Sequence, residues 1–358
     1  MLHAQLTRAG VQLDLPLVNL IDSAKHAAGM VLEASENIHG YLEEHLKDDA
    51  VTNLGLHVVA FGSLAREESG PGSDFDYLVM ATSMGVKPKL IQVFRHAARE
   101  AQKATGLEDP GKSKLFGVMV GSAELVNNIG LDEDMNRSLS RRVLLLQESV
   151  ALGHKDMHTQ LGRAVLARYL FDYEGVTEPL VPRFLLNDVL RYWRTVAVDY
   201  QAKRWDEMEG QKWGLRYIKL RSTRKWTFAG TVASLFMPVI ERQNLTSNYL
   251  HRQFEMPALA RLAQLSPYIP NGSDAEEALR ETLRSADRIV GWLAQEDFRK
   301  SVAAVDSPRQ ANLPDEYISA RSETVSLQQS LEALFFSTAL LGDSGRSLGE
   351  LSRKYLSF

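Results

Sequence analysis

Residues 61–79 read FGSLAREESGPGSDFDYLV, and more of the prediction depends on this segment than on any other. Asp74 and Asp76 lie two positions apart in a run typical of a β-strand. Both carboxylates should therefore point to one face, and Phe75 and Tyr77 to the other, into apolar packing. Two neighbouring carboxylates repel each other unless a cation lies between them, and oxygen ligands favour Mg²⁺. We therefore predict that Asp74 and Asp76 bind Mg²⁺.

Gly62 and Ser63 form the other half of this pattern. The apolar run Leu56–Phe61 predicts a buried strand that ends at Gly62, and Ser63–Glu68 fits a turn of helix. Glycine lets the backbone approach a phosphate closely, and the serine hydroxyl and the amides of the turn can donate to its oxygens. A phosphate site beside a metal site is the minimum apparatus for phosphoryl or nucleotidyl transfer.

Each half of the pattern alone has a simpler interpretation. A single Gly-Ser pair is usually a turn, and a single Asp-x-Asp on a strand edge is usually a solvated face. The eleven residues between Gly62 and Asp74, together with apolar strands around both, make the combination informative.

The combined segment resembles the nucleotidyltransferase superfamily of the DNA polymerase β type, whose mark is a strand, Gly-Ser, a short helix, and then Asp-x-Asp on the next strand. Its opening, Gly62–Arg66, and its close, Gly72–Asp76, look most like bacterial members related to the uridylyltransferase that modifies PII signal proteins. Residues Leu139–Ser149 also look like the helix that follows the catalytic core in that group. The resemblance covers about residues 51–155.

This resemblance implies an NTP as donor substrate and Mg²⁺ as cofactor. The residues that we assign on this basis are Asp74 and Asp76 as catalytic residues and metal ligands, and Gly62, Ser63, Arg66, Ser73, Arg191 and Lys219 as ligands of the nucleotide.

The third carboxylate of the superfamily has no clear counterpart here. The superfamily normally supplies it from a later strand, but the strand that we predict, Leu115–Val120, contains no acid. Glu108 and Asp109 precede this strand and Glu124 follows it, so that any of the three is a candidate. Otherwise the enzyme works with two carboxylates, takes its base from the helical domain, or is inactive.

Hydrophobic periodicity predicts an α+β protein, with a small mixed-sheet core followed by an all-helical C-terminal domain, and the resemblance implies that this core is a nucleotidyltransferase. We place the borders at 1–50 for an N-terminal helical segment, 51–155 for the core and 156–358 for the helical domain, which binds the substrate or the acceptor. The predicted elements up to residue 120 are helices Val18–Leu46 and Lys89–Thr105 and strands Leu56–Phe61, Asp74–Met80 and Leu115–Val120. The predicted later helices are Leu139–Leu152, Met157–Tyr173, Arg183–Trp205, Trp213–Phe236, Glu255–Leu265, Ser273–Phe298 and Thr324–Leu340, with a break at Pro238.

Residues 181–230 carry a net charge of +6, against −10 for the rest of the chain. Asn187, Arg191, Arg194 and Val198 follow helical spacing along one stripe, and Lys219 lies on the next predicted helix. Such helices suit a cationic wall facing a triphosphate or a groove for a nucleic acid. The alternative is an amphipathic helix pair whose charges are simply solvated.

Composition excludes several classes of protein. The chain has 358 residues, of which 44% are hydrophobic and 24% charged, so it is not intrinsically disordered. It has no cysteine, which excludes disulfide scaffolds, thiolate zinc sites and cysteine nucleophiles. The longest apolar run, Val232–Ile240, is too short to span a bilayer, and no secretion signal is visible. We therefore expect a cytoplasmic protein without a membrane partner. The sequence leaves open whether it forms a homo-oligomer.

The predicted function is transfer of NMP from an NTP to an acceptor hydroxyl on a protein or an RNA. Two alternatives remain open. One is a non-catalytic nucleotide-binding regulatory module. The other is a toxin or defence nucleotidyltransferase that acts on tRNA or makes a nucleotide signal.

Overall fold

A computed structural model describes residues 3–46, 55–70, 72–82, 85–110, 115–202, 212–307 and 309–356. These residues are mostly helical, with one small four-stranded mixed sheet among them, which agrees with the predicted α+β class. The chain divides into two compact units. The first unit comprises Ala24–Glu174 and Thr246–Glu255, and the second comprises Leu2–Ser23, Gly175–Leu245 and Met256–Phe358. The border predicted at residue 50 lies within 47–54, outside the described residues.

The elements follow one another along the chain as a few strands among many helices. In chain order they are α1 (Ala4–Gln12), α2 (Val18–Leu46), β1 (Leu56–Phe61), β2 (Tyr77–Ala81), α3 (Pro88–Thr105), β3 (Val118–Gly121), α4 (Ser122–Asn127), α5 (Asn136–Gln147), β4 (Ser149–Leu152), α6 (Lys155–Tyr169), α7 (Arg183–Ala202), α8 (Trp213–Arg221), α9 (Thr223–Ile240), α10 (Ser247–Phe254), α11 (Ala258–Ala263), α12 (Asp274–Ala294), α13 (Glu296–Ala303), α14 (Asp315–Phe336) and α15 (Leu348–Leu356).

The sheet has the strand order β3-β2-β1-β4. β1 is antiparallel to β2 and β4, whereas β2 is parallel to β3. The prediction of a continuous helix over Leu139–Leu152 is wrong at its end. Ser149–Leu152 form β4 instead, because they pair with β1 in the register Phe61↔Ser149 and Val58↔Leu152.

The predicted strand Asp74–Met80 begins at Tyr77, three residues later than expected. The Phe61 N–H still donates to the Asp76 carbonyl at 2.8 Å, but Gly62 then turns β1 away with φ +71°. Asp74 instead forms an isolated parallel bridge with Glu108.

Several other boundaries differ from the prediction; for example, α12 and α13 divide the helix predicted at Ser273–Phe298, and α14 is Asp315–Phe336 where the prediction is Thr324–Leu340. The strand predicted at Leu115–Val120 is shifted to Val118–Gly121. Ser222 separates α8 from α9 within the helix predicted at Trp213–Phe236. The predicted break at Pro238 is wrong, since this proline lies in the last turn of α9. Its missing N–H costs the helix one hydrogen bond close to its end.

The core of the first unit forms between one face of the sheet and helices α2 and α3. On this face β1 contributes Val58 and Ala60, and β2 contributes Tyr77 and Val79, each at most 2% exposed. The helices meet them with small and apolar residues, namely Ala27, Ala34, Ile38 and Leu42 from α2 and Phe94, Ala97, Ala98 and Ala101 from α3. The alanines let the helices approach the sheet, and each large side chain buried here stabilises the unit by about 1.5–3 kcal/mol.

The opposite face of β1 is buried as well, and α6 lies against it. His57 on this face is 1% exposed, and neither of its ring nitrogens has a hydrogen-bond partner among the described residues. Burial, with a smaller contribution from His158 and His154, lowers the pKa of His57 to about 3. His57 is therefore neutral in the folded protein at neutral pH.

The second unit is a helical assembly. α12 packs against α14, and α9 packs against α11. A Cβ atom added at Gly230 of α9 would lie 2.3 Å from the Ala258 carbonyl oxygen, so glycine is what lets these two helices pack so closely. A second apolar cluster gathers Trp213, Ile218, Val302 and Tyr317 from α8, α13 and α14. No helix among the described residues is both long enough and apolar enough to cross a membrane.

Candidate metal and phosphate site

The two halves of the 61–79 segment meet in the structure. Gly62 directly follows β1 and adopts φ +71°, a conformation that favours glycine. A Cβ atom at this position would lie 3.2 Å from Asp76 Oδ2. The missing side chain of Gly62 therefore leaves room for the Asp76 carboxylate.

Exposure alternates along residues 74–77, the pattern that the predicted spacing of two carboxylates on one face would give. Asp74 is exposed and Asp76 is half-buried. Phe75 and Tyr77 point the other way and are 0% and 2% exposed, with their rings 5.7 Å apart. This packing anchors the backbone of the segment, so the two carboxylates are held at its accessible face.

Of the three acids considered as a third carboxylate, Glu108 is the one whose backbone pairs with Asp74. The Glu108 N–H donates to the Ser73 carbonyl at 2.9 Å, and the Phe75 N–H donates to the Glu108 carbonyl at 2.8 Å. Since bridged residues direct their side chains to the same face, Glu108 lies on the side of Asp74. Its side chain is exposed.

The other two candidate acids are engaged elsewhere in the first unit. Asp109 accepts a hydrogen bond from Gln102 at 3.0 Å, and Glu124 accepts one from Ser138 at 2.7 Å. The β2–β3 pairing begins at Leu78↔Val118, and Gly117 just before it has φ +72°, so no residue of β3 is paired with Asp76. Strand β3 contains no acid, and the ring of Phe116, two residues before it, packs 5.5 Å from that of Phe61.

The donor set suits a cation that keeps much of its own hydration shell. Among the described parts of the chain, no three His, Asp or Glu side chains come together as a complete metal site. Two carboxylates with a third nearby leave the remaining positions to water and substrate phosphate, as Mg²⁺ prefers.

The turn after Gly62 has amides available to an anion. The Arg66 N–H donates to the Gly62 carbonyl at 3.0 Å, and the Glu68 N–H donates to the Ser63 carbonyl at 2.9 Å. Within the described residues, no backbone carbonyl accepts from the N–H groups of Ser63, Leu64 or Ala65. These three amides can therefore donate to phosphate oxygens.

Ser73 has a local hydrogen-bonding role. Its hydroxyl accepts from the Gly70 N–H at 3.1 Å, and its own N–H donates to the Gly70 carbonyl at 3.1 Å. Ser73 is 8% exposed and lies on the face opposite Asp74. This placement favours a role in closing the turn, and its predicted contact with the nucleotide stays a prediction.

Arg66 is buried between two carboxylates. Its Nε donates to Glu68 Oε2 at 2.8 Å, and its Nη1 donates to Glu148 Oε2. Burial alone would lower the pKa of the guanidinium, but Glu68 and Glu148 outweigh it and raise the pKa above its ordinary value. A phosphate would have to compete with both carboxylates for this arginine.

Arg191 and Lys219 belong to the second unit. Arg191 lies on α7 with its side chain 44% exposed and 3.9 Å from Asp188. It shares an exposed face with Asn187, Arg194 and Val198, as the periodicity predicts. Lys219 is half-buried on α8. Their contact with a nucleotide stays a prediction.

Glu68 and Glu148 are the residues of this site that sequence reasoning missed. Glu68 lies inside the motif but carries no pattern of its own. Glu148 is 82 positions from Arg66, and the only signal was the resemblance of Leu139–Ser149 to a helix that follows the catalytic core.

Comparisons with known proteins add no relative. Neither a scan against protein-family models nor searches of curated proteins and of solved structures found a match. Any functional conclusion therefore depends on the geometry of the site and on the resemblance of its motif.

Proposed function

We propose that this protein is a Mg²⁺-dependent nucleotidyltransferase that moves NMP from an NTP to an acceptor hydroxyl on a protein or an RNA and releases pyrophosphate. The observation that carries the proposal is the 3.2 Å separation between a Cβ at Gly62 and Asp76 Oδ2. A phosphate bound by the turn and a cation bound by the carboxylates would therefore be neighbours. Phosphoryl-type transfer requires this neighbourhood, because its catalysis is mainly positioning and charge stabilisation.

Each residue has a defined task in this proposal. Asp74 and Asp76 hold Mg²⁺, which when bound neutralises charge on the phosphates and aligns the attacking and leaving oxygens. The amides after Gly62 and the Ser63 hydroxyl donate to the β- and γ-phosphates. Glu108, exposed beside Asp74, accepts the proton of the acceptor hydroxyl.

The direct experiment incubates the protein with each α-labelled NTP and Mg²⁺, using cell extract and total RNA as acceptors in separate reactions. We expect label in one acceptor fraction with one preferred NTP, and loss of transfer in Asp74→Asn and Asp76→Asn. Absence of transfer to both acceptors with every NTP, or transfer that survives both substitutions, contradicts the proposal.

The basic helices supply a second, separate test. Lys219→Ala should weaken NTP binding by about tenfold or more in calorimetry, as expected for the loss of a charge-assisted contact to phosphate. Lys300→Ala is the matched control, since this lysine of the second unit is 70% exposed and pairs with Glu296. Equal affinities in both variants would remove Lys219 from the assignment.

One observation favours a second candidate, a nucleotide-binding regulatory module without turnover. Strand β3, Val118–Gly121, contains no acid that could complete the metal site. Such a module binds an NTP in calorimetry but transfers no label, whereas the enzyme does both.

A further inference from the structure

The Arg66–Glu68–Glu148 cluster is almost completely shielded from water. The side chain of Arg66 is 6% exposed, and those of Glu68 and Glu148 are 4% and 0% exposed. A guanidinium that binds a nucleotide must reach solvent to meet it. Here the fork of donors faces the interior and two carboxylates of the same unit.

The cluster connects the two ends of the turn that follows Gly62, the candidate phosphate-binding turn. Phe61, the last residue of β1, pairs with Ser149, the first residue of β4. Gly62 follows Phe61, and Glu148 precedes Ser149. The ion pair from Arg66 to Glu148 therefore ties the far end of the turn to the same strand pair that holds its near end.

Stability alone does not account for this arrangement. Burying three charged groups carries a large desolvation cost, and well-packed apolar residues often stabilise a core as well or better. What such a cluster does provide is a defined geometry, because a guanidinium between two carboxylates fixes direction as well as distance. The backbone that it orients carries the amides of Ser63, Leu64 and Ala65.

We infer that Arg66, together with Glu68 and Glu148, is a positioning residue that holds the Gly62–Ser63 turn against Asp76, and that it is not a ligand of the nucleotide. This inference rests on the proposed nucleotidyl transfer. It replaces the earlier assignment of Arg66 and adds two residues to the site.

Two substitutions separate positioning from direct binding. Arg66→Lys keeps the charge but cannot bridge both carboxylates, and Glu148→Gln releases one side of the guanidinium. If Arg66 positions the turn, both variants lower kcat by about tenfold or more and change KM for the NTP by less than about threefold. If Arg66 binds phosphate, Arg66→Lys raises KM, and Glu148→Gln leaves KM unchanged or lowers it because it frees the arginine. The second pattern overturns the inference.

The chain offers a matched control for the general cost of breaking a buried ion pair. Arg142 and Asp134, also in the first unit, form a bidentate ion pair with hydrogen bonds of 2.9 and 2.8 Å, and their side chains are 0% and 2% exposed. Asp134→Asn should lower the unfolding midpoint in urea but keep kcat within about twofold of the unmodified protein. A loss of kcat in Asp134→Asn as large as that in Glu148→Gln would show that the cluster acts only through stability.

Hydrogen exchange provides a readout that does not depend on activity. In Glu148→Gln, the amides of Arg66 and Glu68 should exchange about tenfold faster, while the amides of α3 keep their protection. If Glu148→Gln fails to fold, Glu68→Gln is the second variant. It weakens the other ion pair of Arg66, and side chains of unchanged size still occupy positions 68 and 148. Unchanged exchange in a folded variant overturns the holding role. An unmodified protein that transfers no nucleotide would defeat the proposed function separately, because the exchange result would still stand.

Discussion

Gly62→Ala tests whether the room beside Asp76 matters for chemistry. Gly62 has φ +71°, where an alanine costs about 1–2 kcal/mol of folding stability relative to glycine. The new Cβ would lie 3.2 Å from Asp76 Oδ2, closer than the 3.4 Å at which ordinary contacts begin, so the carboxylate must move by a few tenths of an ångström. Since misplacement by 1 Å can lower catalysis by about 100-fold, we expect a loss in kcat of about tenfold and a weaker response to Mg²⁺.

Gly106→Ala is the control for this prediction. Gly106 ends α3 with φ +66°, and a Cβ there would meet no atom within 4 Å. Both variants should lose similar stability in urea unfolding followed by circular dichroism, but only Gly62→Ala should lose transfer and Mg²⁺-dependent NTP affinity. The reasoning is refuted if Gly62→Ala keeps full activity, or if both variants lose activity equally.

Three further predictions concern folding, acid sensitivity and the metal. Gly230→Ala should lower the free energy of unfolding by about 1–3 kcal/mol, because its Cβ would lie 2.3 Å from the Ala258 carbonyl oxygen; urea unfolding with little change would contradict the packing. The pKa of His57 is lowered to about 3 and that of His158 to about 4, mainly by burial and secondly by nearby charged groups. Between these values and the ordinary histidine pKa of 6.5, the unfolded chain is therefore protonated at these histidines and the folded chain is not. The stabilising contribution of these histidines is therefore complete above pH 6.5, and it decreases by about 1.4 kcal/mol per pH unit for each histidine as the pH falls towards the folded-state pKa. In urea unfolding at pH 7, 6 and 5, His57→Phe should make the free energy of unfolding depend less on pH. Asp74→Asn should abolish transfer yet change the unfolding free energy by no more than about 0.5 kcal/mol because Asp74 is exposed, and a large loss of stability would instead indicate a structural role.

Local sequence signals predicted part of the fold well. The bounds of α2 and β1 agree with the prediction, because a long amphipathic pattern and a run of six apolar residues each have one simple interpretation. α3 ends where Gly106 adopts a left-handed conformation that other residues avoid. In these elements the local preference and the tertiary structure agree.

Strand β4 could not be predicted in this way. Only Glu148 separates it from α5, so its apolar residues continue the helical pattern without a visible break. Its pairing with β1, about ninety residues earlier in the chain, determines its conformation. Tertiary contacts here outweigh local propensity, as is common for short strands.

The candidate site shows the same division. The alternation of Asp74 and Asp76 with buried Phe75 is a local property, and the structure shows it as expected. The contacts of Arg66 are only partly local, because Glu68 is two positions away but Glu148 is 82 positions away. An arginine inside a phosphate-type motif suggests an anion ligand when only the motif is known.

The first unit is discontinuous, and this affects how the protein can be made. Helix α10 belongs to the first unit, where it packs on α5 and α6, with the His251 ring against Gly162. During synthesis, residues 175–245 of the second unit are therefore made before Thr246–Glu255, the last segment of the first unit. A fragment that stops at Glu174 would leave α6 uncovered, so the unit is better expressed by joining Thr246–Glu255 through a linker than by simple truncation.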